Sequence, residues 1–217
     1  MYGKSETAPL VERVRAYTKE NPELAKAHHF CFDLRLGGEP IQYFVMGVNP
    51  GEQPELWKLF PEPTEETSLY DFLGLGEREK SVPWRKLCKE FLGTDNVLLT
   101  ELFFWSSRNA VHFRERFGEP IYLSKHLPFC RDMNQRLLKI YKPKAVVVTG
   151  VGAAEYAARL YQLKWVGELR AENGHFLIRH YMDCTRPWAF LKHWTAARSF
   201  TTQQKMKIKS YLEAHVL

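Results

Sequence analysis

The sequence predicts a three-layer α/β/α sandwich around a central, mainly parallel sheet of four strands, forming one domain over residues 1–217. Three observations predict it. Short β-rich runs alternate with stretches of helical periodicity, the pattern of a doubly wound sheet. Three of those runs are apolar at nearly every position, as strands covered on both faces must be. The 217 residues are 45% hydrophobic, enough for one well-buried core and too few for two, and no repeat or long linker divides them.

A first helix, about residues 5–20, sets Leu10, Val11, Val14 and Tyr17 on one face and tolerates Pro9 in its first turn. The first strand is expected at 42–48. A helix with Trp84, Leu87, Cys88 and Phe91 on one face ends before Gly93, and a second strand follows at 96–102. Phe129, Met133, Leu137, Ile140 and Tyr141 mark a helix that stops before Pro143. A third strand at 145–149, a helix at 153–163, a fourth strand at 175–181 and a basic terminal helix at about 202–217 complete the chain. In such sheets the active site lies at the carboxyl ends of the strands. That directs attention to 48–51, 101–107, 150–152 and 180–188.

Composition excludes several classes. No apolar run reaches 18 residues, so no membrane partner is expected. The first residues are polar and lack the apolar core of a secretion signal, which points to a cytoplasmic protein. Cys31, Cys88, Cys130 and Cys184 lie 57, 42 and 54 residues apart with no C-x-x-C pair. This spacing argues against a zinc or iron–sulfur site and suggests four buried, reduced thiols. No metal and no other cofactor is expected, and a monomer is. Residues 1–66 carry 7 Lys/Arg against 11 Asp/Glu, a net of −4, while residues 67–217 carry 24 against 14, a net of +10. A basic second half suits contact with phosphates, although many basic proteins bind no nucleic acid.

The first strand ends in Gly47-Val48-Asn49-Pro50-Gly51, where glycine and proline set a turn that holds the Asn side chain at the strand tip. By itself this is also a plain Asn-Pro-Gly turn. Val97-Leu98-Leu99-Thr100-Glu101-Leu102 follows, then Val146-Val147-Val148-Thr149-Gly150, then a strand ending at His180. In this order the motifs resemble the uracil-DNA glycosylase superfamily, with the first motif close to the G-x-N-P-G form of its mismatch-specific and single-strand-selective branches. Trp84-Arg85-Lys86-Leu87 and Leu92-Gly93 resemble its helix before the second strand. The resemblance covers about residues 40–195.

What it implies is a DNA partner and a monofunctional glycosylase. Asn49 matches the residue that positions the attacking water, and His180 matches the His that donates to the base O2 as charge develops there. Gly47, Pro50 and Gly51 shape the base pocket, and Trp57 or Phe60 stands where the family keeps its stacking ring, with Tyr70 and Phe72 as alternatives. Arg186, Pro187 and Trp188 form a candidate wedge loop, and Lys192 a candidate phosphate contact, extended by Arg198, Lys205, Lys207 and Lys209. The usual Pro-Ser after the His is absent, Tyr181-Met182 standing there instead. His175 and His193 are weaker candidates for the same role. No Lys occupies a matched catalytic position, so an intact strand with an abasic site is the expected product.

Glu101 departs from the family, which generally places a uracil-reading Asn there. An ionised carboxylate only accepts hydrogen bonds and would repel uracil O4, whereas cytosine offers an N4 amine donor. Protonated in a dry pocket, Glu101 would donate to N3 and accept from N4. The expectation is therefore a modified, C5-substituted cytosine, with a role in anti-phage defence. Repair of uracil or another deaminated base is the alternative if Glu101 turns away. A non-catalytic DNA-binding member of the fold is a further one. Gly150-Val151-Gly152 loosely suggests a dinucleotide loop, but Glu155 stands where that motif needs glycine.

Overall fold

The computed structural model describes residues 4–24, 32–34, 40–49, 83–107, 115, 118, 122–193 and 200–217. Pro50, Gly51, Trp57, Phe60, Tyr70, Phe72 and Arg198 lie outside the described residues.

Among the described residues seven strands form one mixed sheet: β1 (Phe32–Leu34), β2 (Tyr43–Gly47), β3 (Val97–Glu101), β4 (Ala145–Thr149), β5 (Lys164–Arg170), β6 (Phe176–Met182) and β7 (Pro187–Leu191), in the order β1-β3-β2-β4-β7-β6-β5. The four strands β3, β2, β4 and β7 are mutually parallel. Strands β1, β6 and β5 join antiparallel. The α/β class is as expected, but the sheet is larger than four strands, and half of its pairings are antiparallel. Every residue of β2, β3 and β4 is buried, which is why these three runs read so clearly as strands covered on both faces.

The larger correction concerns the fourth parallel strand. The run expected at 175–181 is a strand, β6, yet it pairs antiparallel to β7, with Met182 opposite Pro187 and Ile178 opposite Leu191. The strand that lies parallel beside β4 is β7, in a segment expected to be a loop. Asp183 makes the reversal. Its Oδ1 accepts from the backbone N–H of Thr185 at 2.6 Å and of Arg186 at 2.8 Å, and from the Thr185 hydroxyl at 2.7 Å. An Asp that binds the backbone two and three residues on turns the chain tightly. The segment 183–186 is thus a hairpin turn at the amino ends of the parallel strands.

Five helices cover the sheet among the described residues: α1 (Lys4–Glu20), α2 (Pro83–Leu92), α3 (Leu127–Tyr141), α4 (Ala154–Tyr161) and α5 (Thr202–His215). The connection from β2 to β3 through α2 and that from β3 to β4 through α3 run in opposite directions. Right-handed crossovers then set α2 and α3 on opposite faces. Accordingly α2 packs with α5, while α3 packs with α1 and α4. Pro9 falls at the sixth residue of α1 rather than in its first turn, because the helix begins at Lys4. Helix α3 ends with Lys142 in the left-handed region, φ 46°, just before Pro143. Helix α4 ends likewise at Gln162, φ 57°, and so stops short of the expected 163. Helix α5 opens on a capping box between Thr201 and Gln204.

The core is one continuous cluster on both faces of the sheet, including Trp105, Trp188, Phe44, Phe91 and Phe190. Of the cysteines, Cys88 and Cys130 are buried as expected, whereas Cys184, in the hairpin turn, is exposed. Among the described residues no helix is long and apolar enough to cross a membrane.

Candidate functional site

In an open parallel sheet, ligands bind at the carboxyl edge where the connections switch direction. Here β3 flanks β2 on one side and β4 on the other, so the crevice opens at the tip of β2. Asn49 sits two residues beyond that strand. Its Nδ2 donates to the Ser107 hydroxyl at 2.9 Å. The chain after β3 is laid against this tip by two backbone bonds, Leu102 N–H to the Gly47 carbonyl at 2.9 Å and Phe103 N–H to the Val48 carbonyl at 3.0 Å. Trp105, fully buried, anchors the same segment to α1 through its indole N–H, which donates to the Thr18 hydroxyl at 3.1 Å. Ser107 is a functional candidate that the sequence did not single out, since one serine in an aperiodic stretch carries no pattern.

Glu101, the last residue of β3, stands in register with Gly47 of β2. A Cβ on Gly47 would lie 2.6 Å from the Glu101 carboxyl carbon and 2.7 Å from Oε1, so the carboxyl occupies the space that only glycine leaves. The residue is 9% exposed, and its Oε2 is buried with no hydrogen-bond partner among the described residues. Burial pushes the carboxyl well above its ordinary value of 4.5. Burial thus favours the protonated form, which carries one donor and one acceptor.

Beneath it, Asn134 of α3 ties the end of β3 to the helical layer. Its amide donates to the Glu101 carbonyl at 2.9 Å and to the Tyr161 hydroxyl at 3.3 Å, and accepts from the Thr100 hydroxyl at 2.9 Å. Tyr156, in the first turn of α4, lies within electrostatic reach of Glu101, and burial raises its phenol to about 12. Gly150 closes the crevice beside β4. A Cβ there would come within 2.5 Å of Val48 Cγ2.

The remaining parallel strand, β7, delivers Lys192 and His193 to this edge. The Gly150 N–H donates to the Leu191 carbonyl at 2.8 Å, which fixes the ends of β4 and β7 together. Burial lowers the His193 pKa below 6.5, so its imidazole is neutral near pH 7 and can donate one N–H. The Lys192 ammonium lies 5.2 Å from the centre of the Phe200 ring.

The other expected residues are not brought here. His180 lies mid-strand in β6, opposite Ala189 and Gly167, and its ring packs edge-on against Tyr211 of α5 at 6.1 Å. It is 5% exposed with Nε2 unpartnered, and burial, reinforced by His215, lowers its pKa from 6.5. Arg186 and Trp188 stand at the amino edge. Arg186 Nε donates to the Thr185 hydroxyl at 3.0 Å and lies 3.5 Å from Asp183 Oδ2, while Nη1 reaches the Leu138 carbonyl near the end of α3. Trp188 is 1% exposed, its indole N–H bound to Asp183 Oδ2 at 2.8 Å and its ring against Tyr161. Burial alone would raise the Asp183 carboxyl, but the bonds from Trp188, Thr185 and Arg186 outweigh it and hold it low. A wedge for the base stack must be exposed, and this tryptophan is core. Pro187 begins β7 beside it. On α5, Lys205 pairs with Glu90 at 2.8 Å, Lys207 with Glu172 at 3.4 Å and Lys209 with Glu213 at 3.8 Å, so this row of charge is locally balanced. His175 is exposed in the turn between β5 and β6.

Replacing His180 with Leu should remove a buried, unpartnered nitrogen and leave stability unchanged or raised by about 1 kcal/mol. Because its folded pKa is lowered, the wild type should lose stability as pH falls below 6.5, and the variant should lose less. Urea unfolding at pH 7.5 and 5.5 checks both.

No protein-family model matches the chain, and no curated protein matches it.

Proposed function

We propose that the protein is a monofunctional DNA glycosylase that binds a flipped base at the carboxyl edge of β2, β3 and β4 and hydrolyses its glycosidic bond. The observation that carries this reading is the Glu101 carboxyl. It is buried, shifted by that burial towards its protonated form, without a partner at Oε2 among the described residues, and lies against Gly47 two residues from Asn49. A polar group left unpaired in a dry crevice costs about 1–3 kcal/mol, a cost that a base edge can relieve. The order of the motifs, which resembles the uracil-DNA glycosylase superfamily, supports the same reading.

In this mechanism Asn49 positions water beneath a sugar that develops oxocarbenium character, and positioning with charge stabilisation supplies most of the acceleration. The base-oxygen donor is His193 rather than His180, because only His193 lies at the edge that carries Asn49 and Glu101. Lys192 is the described lysine placed to meet a phosphate beside it. The substrate favoured is a C5-substituted cytosine, with Glu101 donating to N3 and accepting from N4. Such a base fits a role in defence against phage.

Protonation of Glu101, which its burial favours, also supports a second reading. A protonated carboxyl can donate to uracil O4 and accept from N3–H, so the repulsion that would exclude uracil from an ionised carboxylate is removed. Incubation with DNA containing uracil, hypoxanthine, 5-hydroxymethylcytosine or its glucosylated form, followed by alkali, decides between them. Breaks at modified cytosine alone support the first reading, and breaks at uracil support repair. Binding without abasic sites on any of them leaves a non-catalytic DNA-binding protein.

Gly47→Ala should push the Glu101 carboxyl out of its seat. The carboxyl is the end of a flexible side chain, so stability should change by about 1 kcal/mol or less while kcat/KM falls about 10–100-fold, the worth of a paired base edge. Steady-state excision and thermal unfolding on the same preparation measure the two effects separately.

A further inference from the structure

We infer that Ser107 is a positioning residue: its hydroxyl holds the Asn49 amide nitrogen against the protein, so that the amide presents its oxygen to the attacking water. The inference rests on the glycosylase reading above and concerns the same site. Asn49 Nδ2 donates to Ser107 Oγ at 2.9 Å, across 58 residues of sequence. Ser107 is 3% exposed. Its segment is fixed by the backbone bonds of Leu102 and Phe103 to the tip of β2 and by the Trp105 indole on Thr18. The hydroxyl is thus a fixed point, and the amide at the strand tip turns relative to it.

The chemistry explains why such a fixed point matters. The two ends of an asparagine amide are nearly equal in size and opposite in polarity, one accepting and one donating. Half a turn about the last side-chain bond exchanges them with little change in packing. As water bonds to the sugar carbon, the C–N bond breaks with its electron pair leaving on the base and the water releases a proton to solvent, so the water is best oriented by an acceptor. A donor turned towards it would bind the lone pair that has to attack. Ser107, whose Oγ takes the Nδ2 end, holds the amide in the orientation whose other end is the acceptor, and it does so without touching the substrate.

The test is a set of variants assayed by single-turnover and steady-state excision on whichever base the parent cleaves. Ser107→Ala should lower kcat about 10–100-fold with KM within about twofold, the scale of a misplaced reactant. Ser107→Thr, which keeps the hydroxyl, should stay within about threefold. In an Asn49→Asp background, Ser107→Ala should cost less than about threefold, because a carboxylate offers an oxygen in either orientation. An unchanged kcat in Ser107→Ala overturns the inference. So does an equal loss in the Asn and Asp backgrounds, which would mark a structural role. A parent inactive on every base removes the glycosylase reading and this inference together, whereas an active parent with an unaffected Ser107→Ala removes the inference alone.

Discussion

Replacing His193 with alanine should lower kcat about 10²–10³-fold with little change in KM, while replacing His180 with alanine should leave kcat within about twofold. The magnitude is that of removing one fixed donor from a developing oxyanion. The contrast between the two histidines comes from strand direction. Strand β7 runs parallel to β4, so the residues after Leu191 emerge where Asn49 and Glu101 stand. Strand β6 runs the other way, and His180 is buried mid-strand under Tyr211. His193 is held neutral by burial, which suits a donor that must carry a proton at pH 7 without having to be charged. Single-turnover excision separates the two variants. A loss at His180 and none at His193 would mean that the base departs at a different edge of the sheet.

This reassignment shows what an apolar pattern can carry. Strands β2, β3 and β4 were legible to within a residue because burial on both faces leaves an unbroken apolar run. The helical faces of α1, α2 and α3 were equally plain. Direction, however, is not written in such a pattern. The segment 176–182 is apolar enough to be a strand either way round, and only the Asp183 turn decides that it leads into a hairpin. An Asp followed two and three residues later by Thr and Arg is a weak signal beside an Arg and a Trp that suggest a wedge. Pro187 masked β7 further, since proline in a run argues against a strand unless it stands at the first position, as it does here. Strand β5 was missed for another reason. It is an edge strand with bulges at two points and Trp165 and Val166 half-exposed, so no alternation survives.

The site divides along the same line. Glu101 and Asn49 were legible because the first ends, and the second closely follows, a strand that was itself legible. Ser107 and Asn134 bond to partners 58 and 33 residues away, Asn49 and Glu101, and such pairings leave no trace in local spacing. The upward shift of the Glu101 pKa was foreseen as a consequence of a dry pocket. Its seat against Gly47 was not, although the register of β2 and β3 dictates it.

That seat sets the second large effect. Glu101→Leu should lower kcat/KM at least about 10²-fold, because the variant loses both halves of the base contact and leaves the base edge unpaired. Glu101→Gln should do far less. An amide carries a donor and an acceptor as the neutral acid does, so KM should hold, and kcat should fall about tenfold for want of an acidic proton. The pH profiles should also differ. With a folded pKa raised above 4.5, wild-type Glu101 is competent below that raised value and ionises above it, so wild-type excision should fall on the alkaline side while the Gln variant stays level. Stability should follow the same sign. The stabilising contribution of the protonated carboxyl is complete below 4.5 and lost progressively as pH rises through the folded pKa. The Gln variant should lack that slope in urea unfolding as pH is raised from 4.5. If excision falls with pH in the Gln variant as it does in the wild type, another group limits the reaction and the proton on Glu101 is not what reads the base. If the slope in stability is also shared, Glu101 is ionised where it lies, and the preference would return to a base that only donates to it.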